Sequence, residues 1–108
     1  MRYADIVLPL AQPLYTFAVA EGVPLCEGMA VVVPFGRSKI YTGIVWRLHD
    51  RRPDFKTVKT VSRVLYGTPL LDERQRRFWE WVADYYMCTL GEVMRVALPS
   101  LMKPSGDT

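Results

Sequence analysis

The sequence predicts an α+β domain: a small twisted β-barrel-like sheet of about five or six strands, followed by one longer and one shorter helix. Two observations support this fold class. The first two thirds of the chain contain short runs rich in β-branched and aromatic residues, and the apolar period becomes helical after residues 67–69. Short strands joined by tight turns favour a closed or half-open barrel, because closure removes exposed sheet edges.

Five segments have the composition of strands, namely 5–10, 14–19, 29–35, 40–48 and 58–65. The third is apolar on both faces, which predicts a central and buried position. Gly43 within the fourth indicates a bulge or a close backbone approach. The charged stretch 49–55 contains Pro53 and is predicted to be an exposed loop, in which the single histidine, His49, is expected to be solvated rather than catalytic.

Two helices are predicted in the last third of the chain. The first is expected to reach about Tyr86, since apolar residues recur there at helical spacing: Leu71, Phe78, Trp81, Val82 and Tyr85. The second covers 92–98 and is stopped by Pro99. Because an aromatic stripe usually faces the core, Trp81 and Tyr85 are interpreted as core residues. The predicted domain is 1–99, with 100–108 as a linker or terminal tail.

The charge is unevenly distributed along the chain. Residues 37–63 contain eight basic and two acidic residues, a formal charge of +6, whereas the rest contains six basic and nine acidic residues, or −3. This asymmetry favours a polyanionic partner such as DNA or RNA. The alternative interpretation is a solvated face of lysines and arginines on the strands.

Several function classes lack their sequence signals. There is no glycine-rich phosphate loop, and no set of residues suggests a nucleophile with its base and orienting group, so an enzyme is not expected. No apolar run approaches the ~20 residues of a membrane-spanning helix, and no signal peptide is recognised, which predicts a cytoplasmic protein without a membrane partner. Cys26 and Cys88 lack metal-ligand spacing and are expected to be free thiols.

Two sets of motifs carry a family resemblance. The first consists of 33–37 (VPFGR) followed by 42–45 (TGIV), and the second of 81–86 (WVADYY) with 90–93 (LGEV) and 97–99 (ALP). In this order and near this spacing, with the opening 7–9 (VLP), they resemble the N-terminal domain of the primosomal protein N′ (PriA) family of replication-restart helicases. The resemblance covers the chain to about Pro99.

The resemblance implies a non-catalytic domain that binds the 3′ end of the nascent leading strand at stalled or repaired forks. It implies no cofactor in this domain, with ATP and zinc bound by other domains of the helicase. The implied partners are DNA with a free 3′ end, forked DNA and the other domains of the same helicase. Primosome proteins and single-stranded DNA-binding protein are further partners of this kind.

By this resemblance, Phe17, Gly36 and Lys59 form the 3′-end pocket. Ala18 occupies a position where the family often has an aspartate that meets the base edge, so backbone groups or Thr16 would have to make that contact. The physical chemistry agrees: an aromatic wall accepts any base, and a residue without a Cβ lets the backbone approach the terminal sugar. A lysine attracts the phosphates.

Arg37 and Lys39, beside the glycine turn, are expected to make further phosphate contacts. Each candidate also has a structural interpretation: Phe17 as core, Gly36 as a turn residue and the basic residues as solubilising charges. Two other functions remain open at this stage. One is a protein-interaction or structural domain that docks on other helicase domains or on single-stranded DNA-binding protein, and the other is an RNA-binding barrel.

Overall fold

The computed structural model describes residues 2–10, 14–35, 39–52 and 58–98. In this part of the chain five strands precede two helices, which confirms the predicted α+β fold class. The strands are β1 (Arg2–Val7), β2 (Tyr15–Val19), β3 (Ala30–Phe35), β4 (Lys39–His49) and β5 (Arg63–Leu65), and the helices are α1 (Glu73–Tyr85) and α2 (Leu90–Ala97). The predicted tail 100–108 lies outside the described residues.

The five strands form one antiparallel sheet in the order β2-β1-β4-β3-β5. β2 and β5 are the edges of this sheet, so the sheet is not a closed barrel. Within the described residues, the two edges meet through one isolated bridge, between Ala18 of β2 and Thr60 just before β5. The half-open form, one of the two arrangements that the short strands predicted, is therefore the one observed.

The segment predicted as one strand, 58–65, is divided between two partners. The backbone N–H of Val61 donates to the carbonyl of Ala18 over 3.0 Å, whereas the N–H of Ser62 donates to the carbonyl of Val32 over 2.8 Å. After this change of partner, β5 pairs with β3. The strand is shorter than predicted because the chain leaves the β2 edge between Val61 and Ser62.

One face of the sheet covers the first hydrophobic core, to which β1, β2, β3 and β4 all contribute side chains. β3 is buried from Ala30 to Val33, as its continuous apolar run predicted. A Cβ at Gly43 would lie 2.5 Å from Ile6 Cγ2 and 2.8 Å from the Val7 carbonyl oxygen. Gly43 therefore marks a close approach of β4 to β1, one of the two interpretations of this glycine.

The two helices cover part of the opposite face of the sheet. Trp79 and Ala83 of α1, with Met94 of α2, pack in a second core against side chains of β1, β3 and β4. The indole Nε1 of Trp46 donates a hydrogen bond to Glu80 Oε2 over 2.9 Å. Because Trp46 is a buried residue, this bond satisfies a donor that would otherwise be costly to bury.

The interpretation of Trp81 and Tyr85 as core residues was wrong. Trp81 is 57% exposed and Tyr85 is 66% exposed, whereas Trp79 is 5% exposed. Two residues along a helix are separated by about 200° of rotation, so burying Trp79 turns Trp81 to the opposite face. The apolar residues in the second half of α1 are spread over more than one face of the helix, and the sequence period did not show which of these faces the sheet would cover.

The second helix begins earlier than predicted. Its N-cap is Thr89, whose Oγ1 accepts from the Glu92 N–H over 3.2 Å while the Glu92 side chain accepts from the Thr89 N–H over 3.0 Å. This reciprocal pair satisfies two N–H groups that a helix start leaves without partners. The residues interpreted as a separator, 89–91, therefore include the cap and the first turn of α2.

The prediction for His49 also needs correction. It is the last residue of β4 rather than a loop residue, its side chain is only 27% exposed, and Nε2 lies 2.9 Å from Asp5 Oδ1. Residues 50–52 of the predicted loop are exposed, as expected, and its residues 53–55 lie outside the described residues. Neither helix of the described chain is long and apolar enough to cross a membrane.

Candidate nucleic-acid interface

Three of the predicted site residues are brought together at the bridge between the sheet edges. Phe17 and Ala18 follow each other on β2, and the Ala18 N–H donates to the carbonyl of Lys59 over 2.8 Å. Lys59 is an exposed residue at this point of the chain. A positive charge therefore lies next to the strand that holds the predicted aromatic wall, although the two segments are about forty residues apart in sequence.

Phe17 lies inside the first core. It is 4% exposed and packs in the same cluster as Ala4, Val19 and Val45. The ring contributes to the stability of the sheet in this arrangement and offers almost no surface to solvent. Its stacking with a terminal base stays a prediction, and such stacking requires the core to open at this position.

Ala18 has a small, buried side chain, and its backbone groups are already engaged. Its N–H donates to Lys59, and its carbonyl accepts from Val61. The hydroxyl of Thr16 donates to Asp5 Oδ1 over 2.8 Å. The groups expected to replace the missing aspartate thus all have protein partners. The Ala18 N–H could donate to a base edge only by giving up its bond to Lys59, whereas the Ala18 carbonyl and the Thr16 hydroxyl oxygen each keep a lone pair that can accept from a base.

The glycine turn of the predicted pocket is flanked by the two residues that end β3 and begin β4. Phe35 and Lys39 are paired across these antiparallel strands, and Lys39 is exposed. Gly36 and Arg37 lie outside the described residues, so their predicted roles stay predictions.

A cluster of half-buried aromatic residues lies beside this turn, and the sequence interpretation missed it. The ring of Phe35 makes edge-to-face contacts with Tyr15 and with Tyr41, at centroid distances of 5.2 and 5.4 Å. All three rings pack against the first core and remain partly exposed. These rings come from three strands, so no local pattern could have shown that they form one surface.

The Tyr15 hydroxyl reports the environment of this cluster. Burial, and secondly the neighbouring Tyr41, raise the pKa of Tyr15 above its usual value of 10.0. Both effects disfavour a phenolate, because burial removes its hydration and a second phenolate would repel it. Tyr15 therefore presents a neutral ring to a base.

The described residues offer little for catalysis or metal binding at this interface. No group of three or more histidine, cysteine, aspartate or glutamate side chains in that part of the chain could hold a metal ion. Asp5 and His49 bond to each other. The arrangement can bind an anionic strand through Lys39 and Lys59 and can contact bases through aromatic rings.

Comparisons with known proteins also relate this chain to a DNA-binding domain. Residues 5–99 match a family described as the 3′ DNA-binding domain (3′BD) of PriA. The chain is 36% identical over 101 residues to the replication restart protein PriA of Rickettsia conorii, with 92% of this chain covered. It is 31% identical over 94 residues to that of Synechocystis, with 85% covered.

A third relative, the replication restart protein PriA of Haemophilus influenzae, is 31% identical over 101 residues, with 92% of this chain covered. The chain spans only a small part of these relatives, which is 15% of the Rickettsia conorii protein, 11% of the Synechocystis protein and 14% of the Haemophilus influenzae protein. The match therefore concerns one domain of a much longer protein.

Proposed function

This chain belongs to the family of PriA 3′ DNA-binding domains, and from that premise we propose that it recognises the 3′ end of the nascent leading strand at stalled or repaired replication forks. As a member of this family it is a non-catalytic DNA-binding domain of a replication-restart protein. The proposal concerns which DNA structure it selects and which residues make the selection.

The observation that carries the proposal is the bridge between Ala18 and the segment at Lys59. It joins β2 to the chain before β5 by two backbone hydrogen bonds, of 2.8 and 3.0 Å. Three of the residues assigned to the pocket, Phe17, Ala18 and Lys59, therefore lie on two adjacent segments, which supports the proposal. A lysine beside a site for a strand terminus attracts the phosphate that precedes the terminal sugar.

The half-buried aromatic cluster supports the same proposal. Base–aromatic stacking is worth about 1–3 kcal/mol per base and tolerates every base, which suits a site that must accept any 3′-terminal nucleotide. Phe35 directly precedes Gly36 and keeps its ring partly exposed. We assign to this cluster the initial contact with the terminal base, and to Phe17 a deeper contact that forms when the site opens.

The closed end of the pocket provides discrimination between strand ends. The small residues Gly36 and Ala18 let the backbone approach the terminal sugar, and a strand that continues past its 3′ position meets protein atoms there. Selectivity then results from steric exclusion rather than from base reading. Lys59, Arg37 and Lys39 add sequence-independent attraction to the phosphates.

In the whole protein, this domain acts together with a helicase motor that other domains supply. ATP and zinc are bound by those other domains, and this domain gives the motor its preference for forks. The whole protein works in the cytoplasm with primosome proteins and with single-stranded DNA-binding protein.

The test is a titration of the 108-residue chain with labelled oligonucleotides that differ only at the 3′ terminus. An oligonucleotide with a free 3′-hydroxyl is expected to bind more tightly than the same oligonucleotide with a 3′-phosphate, because the phosphate does not fit the closed end. A fork with a free leading-strand 3′ end is expected to bind more tightly than a blocked fork. Equal affinity for free and blocked ends would contradict the proposal.

A second function is favoured by the exposed aromatic stripe of α1, formed by Phe78, Trp81 and Tyr85. Consecutive rings stack at centroid distances of 6.1 and 5.1 Å, and each is more than half exposed. Aromatic residues are enriched at protein interfaces and scattered on ordinary surfaces, so a contiguous stripe indicates a docking surface. The occupant that fits best is another domain of the same helicase, since most of the relatives' length lies outside this chain.

This second function is tested in the full-length protein with Trp81→Ala. If α1 docks on another helicase domain, the variant is expected to weaken the coupling between 3′-end binding and unwinding while leaving the isolated domain's DNA affinity unchanged. A full-length variant with normal unwinding of forks would argue against docking. Competition between matched DNA and RNA oligonucleotides distinguishes a DNA-binding domain from an RNA-binding barrel.

A further inference from the structure

The part of the sheet that the helices leave uncovered holds a polar pocket. It has a volume of about 410 Å³ and is lined by Arg47, Arg51 and Arg52 together with Asp5, Thr16, His49 and Asp50. We call it the arginine pocket. Its volume lies within the roughly 300–1,000 Å³ of ordinary ligand sites. Every residue that lines it has a polar or charged side chain, so it suits a charged group rather than an apolar molecule.

The base of the pocket is a fixed hydrogen-bond network. Asp5 Oδ1 accepts from the Thr16 hydroxyl over 2.8 Å and lies 2.9 Å from His49 Nε2. His49 Nδ1 accepts from the backbone N–H of Arg51 over 3.1 Å. Because Nδ1 is an acceptor, the ring proton of a neutral His49 is on Nε2 and is donated to Asp5. Neither ring nitrogen is left for proton transfer, so the network is structural.

This network holds the arginines in place. His49 fixes the backbone of Arg51 at the end of β4, and Arg52 Nη1 donates to the hydroxyl of Tyr3 over 3.3 Å. Arg47 is paired with Asp5 across β1 and β4. Three guanidinium groups from one strand end are thus gathered around one pocket, and the chain that carries them is tied to the sheet.

The guanidinium groups keep their capacity to bind an anion. Among the described residues, no carboxylate lies within ion-pair distance of Arg47, Arg51 or Arg52. Of the two carboxylates that line the pocket, Asp5 is bonded through Oδ1 to Thr16 and His49, and Asp50 is exposed to solvent. The three guanidinium groups outnumber these two carboxylates. A planar guanidinium presents paired donors that match the oxygens of a phosphate, which an ammonium group cannot do.

We propose that the arginine pocket binds a phosphodiester group of the DNA strand close to its 3′ terminus. The pocket borders the predicted terminal site: Thr16 precedes Ala18 by two residues on β2, which is about 7 Å along a strand, and Tyr3 pairs with Ala18 across β1. This assignment rests on the proposed function, since it takes the bound strand to be the one whose end lies near Ala18.

The pocket gives affinity without reading the terminus. A phosphate contact is independent of base sequence, releases counterions and makes binding weaker at high salt. Its loss is therefore expected to weaken binding of free and blocked 3′ ends by the same factor. Loss of a contact in the terminal site would instead reduce the preference for the free end.

The experiment compares Arg51→Ala/Arg52→Ala with Arg74→Ala/Arg95→Ala, a control that removes the same charge from exposed positions on the helices. Both variants of the 108-residue chain are titrated with a single-stranded oligonucleotide at several salt concentrations, with a 3′-hydroxyl or a 3′-phosphate. Each phosphate contact on a single strand contributes about 0.7 to the salt slope. The pocket variant is expected to lose about 1.4 from the slope on both oligonucleotides, and the control less than half of that.

A pocket variant with the affinity and salt slope of the control overturns the assignment. A pocket variant that loses the preference between the two termini also overturns it, because the arginines would then belong to the terminal site. If the pocket variant has a shallower salt slope, but the unmodified chain shows no preference between the two termini, the phosphate site is supported and the proposed 3′-end function is refuted. The failure of one proposal can therefore be distinguished from the failure of the other.

Discussion

The backbone N–H of Ala18 donates a hydrogen bond of 2.8 Å to the carbonyl of Lys59. This bond joins the two edges of an otherwise open sheet. On one side of β2 it is next to Phe17 in the core, and on the other side it is near the arginine pocket. The bond therefore sets the position of Lys59 relative to the strand that carries Phe17.

Lys59→Ala is expected to weaken oligonucleotide binding without unfolding the domain. The bond to Ala18 uses the backbone carbonyl, which the substitution retains, and a surface substitution usually changes the free energy of unfolding by no more than about 0.5 kcal/mol. Loss of one phosphate contact is expected to reduce the salt slope by about 0.7 on single strands. Fluorescence anisotropy at several salt concentrations measures this, and an unchanged slope would remove Lys59 from the interface.

Phe17→Ala is expected to destabilise the domain by about 3–5 kcal/mol, the usual cost of truncating a buried phenylalanine to alanine. The reason is its 4% exposure within the first core. Urea unfolding followed by tryptophan fluorescence measures the change. A loss below about 1 kcal/mol would show that the ring is not packed as described. Binding by this variant is informative only at temperatures where it remains folded.

Phe35→Leu tests the half-buried aromatic cluster separately from stability. Leucine keeps much of the apolar volume but removes the face on which a base can stack, so binding of a 3′-hydroxyl oligonucleotide is expected to weaken by about 1–3 kcal/mol. Phe78→Leu is the matched control, since it removes an exposed ring from α1. Equal affinities of the two variants would exclude Phe35 from the base contact.

The cluster also predicts a dependence of stability on pH. The pKa of Tyr15 is raised in the folded chain, so folding favours the neutral phenol. This contribution to stability is fully present below the unfolded value of about 10 and is lost as the pH rises through the folded pKa. Tyrosinate absorbance against pH is expected to show one late-titrating group that disappears in Tyr15→Phe. An identical titration curve for that variant would contradict the assignment to Tyr15.

The orientation of α1 is tested by two tryptophans that are two residues apart. Trp79→Ala is expected to cost about 3–5 kcal/mol because its ring is buried against Trp46. Trp81→Ala is expected to cost much less, within about 1 kcal/mol, because its side chain is 57% exposed. Denaturant titrations of both variants give the comparison. A larger loss for Trp81→Ala would mean that α1 is rotated from the described position.

Local patterns in the sequence were sufficient for the order and type of the elements. The uninterrupted apolar run of β3 predicted a buried central strand, Gly43 indicated a bulge or a close backbone approach, and the change of period after residue 69 located α1. These features depend on neighbours along the chain, so they can be recognised without knowing which strands pair. The paired motifs around 33–45 and 81–99 were likewise sufficient to indicate the family.

The tertiary structure alone decided which surfaces these elements present. Burial of Trp79 rather than Trp81 depends on the sheet against which α1 packs, and the change of partner at Val61 depends on where β2 ends. The pairing of Asp5 with His49 joins residues 44 positions apart. These contacts result from the competition of distant segments for the same partners. The hydrophobic period of one segment does not depend on that competition and so cannot predict its outcome.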